Sequence, residues 1–175
     1  MKKLNTYITE KLKIRKLSYK YFPKTKEELQ DLLNQLIKER GNEGDFNDID
    51  TSKITDMSEL FDGIKKFNGD ISNWNVSNVI NMIWVFGGCS SFNQDISRWD
   101  VSNVIDMYAM FGGCTLFNQP LNNWDVSKVT NTKYMFYRCE SFNQDISNWN
   151  VFKVKYNYNT FYNCPIEEKY KPKFK

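Results

Sequence analysis

The stretch "FNQDISRWDVSNVIDMYAMFGGCTL", Phe92 to Leu116, recurs at a shift of 25 residues, in register, from Phe67, Phe117 and Phe142. Self-similarity at a fixed period of about 20 to 50 residues marks a chain that coils rather than one that closes around a single centre. The columns are Phe67, Phe92, Phe117 and Phe142; Trp74, Trp99, Trp124 and Trp149; Phe61, Phe86, Phe111, Phe136 and Phe161; and Cys89, Cys114, Cys139 and Cys164. A degenerate unit, Asn42 to Lys66, precedes them, with Ile49 in the Trp column, Phe46 in the Ile71 column and Ile64 in the Cys column. Apolar replacements there place those columns inward.

One unit holds too few apolar residues to bury them alone, so successive units must cover each other's Phe, Ile, Trp, Val and Met as ladders. "FNQDIS" has strand-like periodicity and predicts a parallel sheet with roughly 4.8 Å between rungs. "VSNVIDMYAMF" places Val101, Val104, Met107, Met110 and Phe111 at helical or 3₁₀ spacing, with "GG" supplying the turn. The fold class expected from this pattern is α/β, a leucine-rich-repeat-like solenoid of 25-residue units. A parallel β-helix is the alternative. A propeller blade needs about 40 residues, more than one unit holds.

The motif F-N-Q-D-I-S-N-W-[ND]-V-S-N-V, ending in F-x-x-C, resembles the BspA-like leucine-rich-repeat surface proteins, whose units also abound in mycoplasma lipoproteins. It extends from about Asp45 to Cys164. The resemblance implies a right-handed leucine-rich-repeat solenoid, a role in adhesion or protein binding, and no enzyme activity.

At the N-terminal side, "PKTKEELQDLLNQLIKERG" predicts an amphipathic capping helix over 23–41. Thr25 and Glu28 form a capping box, Leu29, Leu32, Leu33, Leu36 and Ile37 an apolar stripe, and Gly41 the C-cap. Residues 1–22 form an arm or short helix, 42–166 the five units, and 167–175 a basic tail. The first and last units are degenerate, the last with Phe152, Asn157 and Thr160 against the pattern.

Catalytic chemistry finds no foothold. The chain has no histidine, the commonest general base and metal ligand. The cysteines stand 25 residues apart, unlike the close pairs of zinc sites, and read as a ladder of buried free thiols. Stacked-rung disulfides are the alternative. Asp70, Asp95 and Asp145 are interrupted by Pro120 and lack the glycine-rich calcium pattern. The Asn68, Asn93, Asn118 and Asn143 column reads as side chains satisfying backbone groups at a turn. No enzyme, cofactor or metal is expected.

Function is sought in a surface. Two adjacent columns vary toward aromatics, giving Trp84, Tyr108, Tyr134 and Tyr158, with Tyr137 and Tyr162 just beyond where earlier units carry glycine. These six residues form a candidate binding stripe, because contiguous exposed aromatics typify interaction hot spots. The alternative is that they pack against their own rungs. The expected function is a non-enzymatic binding module for protein–protein interaction or adhesion, with a protein ligand favoured and a glycan second. A structural spacer or assembly component of a cell envelope or phage particle is the competing reading. A net charge of +3 calls for no nucleic acid, and no stretch reaches the ~20 apolar residues of a transmembrane helix. "MKKLNTYITEKLKIRK" carries no signal-peptide core or lipobox, which points to a cytoplasmic or virion-associated protein. A cell-surface location follows from the family resemblance alone.

Overall fold

A computed structural model describes residues 19–175. The expected N-terminal arm, 1–22, lies outside the described residues except for its last four. Of these, Tyr21 bridges in parallel to Ile49, with the Lys20 N–H donating to the Asp48 carbonyl at 2.8 Å. Helix α1 spans Lys26–Arg40. Thr25 caps it, its hydroxyl accepting from the Glu28 N–H, while Glu28 Oε2 accepts from the Lys24 N–H at 2.7 Å. Gly41, at φ 78°, ends it by donating to the Ile37 carbonyl. Leu29, Leu33 and Leu36 are fully buried and join the core of the repeats. Arg40 ties the helix to the first unit, bonding Asp48 at 2.7 Å and the Asp45 carbonyl.

The expected solenoid of short parallel strands and helical or 3₁₀ returns is not what the repeats form. Among the described residues there is no sheet, and the only regular elements are α1 and one 3₁₀ turn, Glu168–Tyr170. The repeats are irregular backbone made of turns, joined at isolated parallel bridges 25 residues apart: Asp45 to Asp70, Asp56 to Asn81, then Asp106, Asn131 and Tyr156. This overturns the leucine-rich-repeat assignment.

Two physical causes replace strand by turn. Each unit carries Asp or Asn where its side chain turns the chain two residues on. Asp95 accepts from the Ser97 N–H, Asp100 from Ser102 and Asp106 from Tyr108, at 2.8–3.1 Å. Such side chains compete with the ladder for backbone donors. In addition, Glu59, Trp84, Ala109, Tyr134 and Asn159 all have φ between 50 and 60°, and Gly63, Gly88, Gly113, Arg138 and Asn163 between 52 and 78°. Two left-handed residues four positions apart in every unit interrupt any strand or right-handed helix across that part of the rung.

Stacking survives because alternate N–H groups still point along the stack. Met82, Trp84, Phe86 and Gly88 donate to the carbonyls of Asp106, Tyr108, Met110 and Gly112 at 2.7–2.9 Å, while Gly87 and Cys89 donate within their own unit. The same alternation recurs in the units on either side. We number the resulting rungs one to five: 42–66, 67–91, 92–116, 117–141 and 142–166.

Inside, Phe61, Phe86, Phe111, Phe136 and Phe161 stack at 5.5–5.7 Å. Each of the first four also lies 3.9–4.3 Å from the next Phe of the Phe67 column. A fully buried Phe contributes about 1.5–3 kcal/mol of transfer free energy, so the ladders dominate stability. Polar atoms in the core are satisfied in register. The Trp74, Trp99, Trp124 and Trp149 indoles donate to carbonyls 28 residues earlier at 2.9–3.2 Å. Cys89, Cys114 and Cys139 thiols donate likewise to Phe61, Phe86 and Phe111. Asn68, Asn93 and Asn118 each accept the N–H of the Asn one rung on at 2.9–3.0 Å, and Asn143 accepts that of Glu167 in the C-terminal segment. At the far end Thr132 and Thr160, buried where earlier rungs carry Met and Val, bond each other. Residues 166–174 then fold onto rung five, where the Ile146 N–H donates to the Tyr170 carbonyl and Phe174 reaches Phe161.

Candidate functional site

The left-handed column also builds an aromatic stripe outside the core. Trp84 and Tyr134 occupy that column, whereas Tyr108 and Tyr158 sit one residue before it. The aromatics therefore alternate between two positions from rung to rung. Their rings meet edge to face at 6.0, 5.9 and 5.9 Å. Tyr137 stands at right angles to Tyr134 at 5.5 Å and stacks on Tyr162 at 5.3 Å. All six residues of the sequence-derived stripe thus line one open groove of about 540 Å³. Tyr158 and Tyr162 are exposed, at 63% and 49%, and the other four are half-buried. None belongs to the packed interior.

The positive φ is not itself a mark of the site. Glu59 and Ala109 share it, so it belongs to the rung, at roughly 1–2 kcal/mol for each non-glycine residue.

Sequence reading missed the floor of the groove, Ala109 and Gly112. Between Trp84 on rung two and Tyr134 and Tyr137 on rung four, rung three contributes only these two small side chains beneath Tyr108. Tyr137 and Tyr162 occupy the column that holds Gly87 and Gly112. The two glycines differ. At Gly87 a Cβ would fall 2.1 Å from the Trp84 ring and 2.6 Å from Asp62 Oδ1, because the indole lies across it. At Gly112 the nearest atom to such a Cβ is the Ala109 carbonyl oxygen at 3.3 Å. The signal was small residues at positions where neighbouring rungs carry tyrosine.

Charge is divided along the groove. Glu59 and Asp62 on rung one flank the Trp84 end; burial, then the Glu59 charge, raises the Asp62 carboxyl above its ordinary value. On rung four, Lys133 lies over the Tyr134 ring at 5.2 Å and Arg138 over Tyr137 at 5.3 Å. Among the described residues the one tyrosine hydroxyl in a hydrogen bond is that of Tyr21, outside the groove.

Other polar columns are occupied structurally. Asp70, Asp95 and Asp145 each bond the N–H of Ser72, Ser97 or Ser147. Among the described residues no three His, Cys, Asp or Glu side chains are grouped to hold a metal ion. The cysteines are free thiols, three buried and Cys164 half-buried. Burial pushes Cys89 up to about 12 and Cys164 to about 11, and Cys114 and Cys139 well above their ordinary value. No described helix is long and apolar enough to cross a membrane.

A family model described as "Mycoplasma protein of unknown function, DUF285" matches residues 29–124 and 85–170. No curated protein and no solved structure matches.

Proposed function

The chain belongs to the DUF285 family of mycoplasma proteins, and we propose that it is a non-enzymatic binding module that holds a protein partner in the aromatic groove. The observation that carries this reading is six aromatics on four successive rungs, at least one on each, lining one groove apart from the buried core aromatics. These rings lie outside the core cluster, and rigid aromatics at a surface are efficient contact area. The repeat motif further supports a place among BspA-like surface proteins and a role in adhesion. A glycan is the second ligand class, since sugars also stack on such rings.

The test fills the groove without removing a ring. Tyrosine already occupies the Gly112 column at Tyr137 and Tyr162, so Gly112→Tyr follows a precedent in the next rungs. Gly112→Tyr and the triple variant Trp84→Ala, Tyr108→Ala, Tyr134→Ala should keep the melting temperature within a few degrees. Both should abolish capture of the surface proteins that the wild type retains from cell extracts. Undiminished capture by both variants would leave the structural spacer or assembly component as the better reading.

A further inference from the structure

The groove has a period, and the period selects a ligand shape. Because aromatics alternate between two columns, equivalent rings recur every second rung: Trp84 then Tyr134, Tyr108 then Tyr158. At ~4.8 Å per rung that repeat is about 9.6 Å. A polyproline II helix rises 3.1 Å per residue with three residues per turn, so it repeats at about 9.3 Å. An extended β-strand, with a two-residue repeat of about 6.8 Å, falls out of step within one period.

The chemistry agrees with the spacing. A polyproline II segment has no internal hydrogen bonds, so its carbonyls need donors from elsewhere, and proline contributes no N–H. The groove offers tyrosine hydroxyls that bond no side chain or backbone group among the described residues, and ring faces against which pyrrolidine rings pack. Its charge sets a direction. The Asp62 carboxylate lies beside Gly87 and the Trp84 ring, where it would meet a cation, with Glu59 on the same rung. Lys133 and Arg138 lie over the Tyr134 and Tyr137 rings of rung four, where they would meet an anion. Three rungs separate the two pairs, about 14 Å, which a polyproline II chain covers in about five residues.

Resting on the binding-module reading, we infer that the partner presents a proline-rich segment in polyproline II conformation, with a basic and an acidic residue about five positions apart. The basic residue lies at the Trp84 end and the acidic residue at the Tyr137 end. The prolines lie on the open faces of the rings, along the stretch that Ala109 and Gly112 also line.

The probe is a capped peptide of lysine, four prolines and glutamate, titrated into the full chain by calorimetry. Controls are a peptide with alternating glycine and serine in place of the prolines, and a proline peptide with lysine at both ends. Saturable binding of the first peptide is expected, roughly tenfold or more weaker for each control. Gly112→Tyr should lose it by a similar factor, and Lys133→Glu with Arg138→Glu should reverse the preference toward the two-lysine peptide. Binding that is absent at millimolar peptide, or equal for the glycine–serine control, overturns the inference. So does saturable binding of an oligosaccharide by the wild type that the Gly112→Tyr variant lacks, with no proline peptide bound. In both cases capture that remains sensitive to Gly112→Tyr would leave the binding module standing and remove only the polyproline ligand.

Discussion

Alkali should unfold this protein through its buried thiols. Cys89, Cys114 and Cys139 are fully enclosed, each donating its proton to a carbonyl, and burial holds all three far above the value of a free thiol. In the unfolded chain they ionise near pH 8.5. The folded state therefore keeps protons that the unfolded state has released, and stability falls as pH rises. The stabilising contribution is intact below about pH 8.5 and is lost as pH climbs toward the folded values. At pH 10 each buried thiol costs about 2 kcal/mol, so the three together cost about 6 kcal/mol. Half-buried Cys164 adds less. A loss of that size is comparable to the whole stability of an ordinary domain, about 5–15 kcal/mol. The assay is urea denaturation followed by tryptophan fluorescence at half-unit steps from pH 7.5 to 10.5. Cys114→Ser is the informative variant. Its hydroxyl keeps a donor for the Phe86 carbonyl, yet it does not ionise in this range. Between pH 9.5 and 10.5 its stability should fall less steeply than the wild type's by about 1.3 kcal/mol per pH unit. Other alkaline titrations are common to both proteins and cancel. Parallel profiles for the two would mean that Cys114 ionises as easily folded as unfolded, and the enclosed thiol ladder would be wrong.

Three further outcomes follow from the same stack. Phe111→Ala, with rings above, below and beside it at 4.3–5.6 Å, should cost about 3–5 kcal/mol in denaturant melts, and Phe161→Ala on the half-buried last rung clearly less; equal costs would deny a one-dimensional core. Arg138, at φ 56°, stands in the column held by Gly63, Gly88 and Gly113, so Arg138→Gly should stabilise by about 1 kcal/mol, whereas Gly113→Ala, at φ 78°, should destabilise by about the same; thermal melts of the pair give the signs. Hydrogen bonding from Arg40, with Lys20 adding to it, holds the Asp48 carboxyl below its ordinary value. The Asp48 carboxylate's contribution is present above about pH 4, the unfolded carboxyl's range, and is lost as pH falls through the folded value. Arg40→Met should therefore be less stable at pH 6 yet lose less on acidification from pH 5 to 3.

A constant period without insertion or deletion, read from the sequence alone, determined which residues share a column, because equal spacing brings equivalent positions to successive rungs whatever the backbone does between them. The same spacing, with uniform apolar columns set against variable ones, was enough to separate the Phe, Trp and Cys ladders from the stripe at Trp84, Tyr108, Tyr134 and Tyr158. The sequence also located α1, through its apolar stripe and its local caps at Thr25 and Gly41. Only the tertiary structure decided the conformation of the rungs. "FNQDIS" has the alternation of a strand, but its Asp and Asn side chains take the backbone donors that a strand would pair, and a non-glycine residue such as Trp84 enters the left-handed region only because stacking on the next rung repays the strain. Depth was equally beyond the sequence. Gly87 and Gly112 occupy the same column, yet the first is covered by an indole and the second lines the groove, because a tryptophan precedes Gly87 by three residues where Gly112 has only Ala109. The floor of the groove is set by which neighbouring side chain falls across a glycine, and that depends on packing in three dimensions.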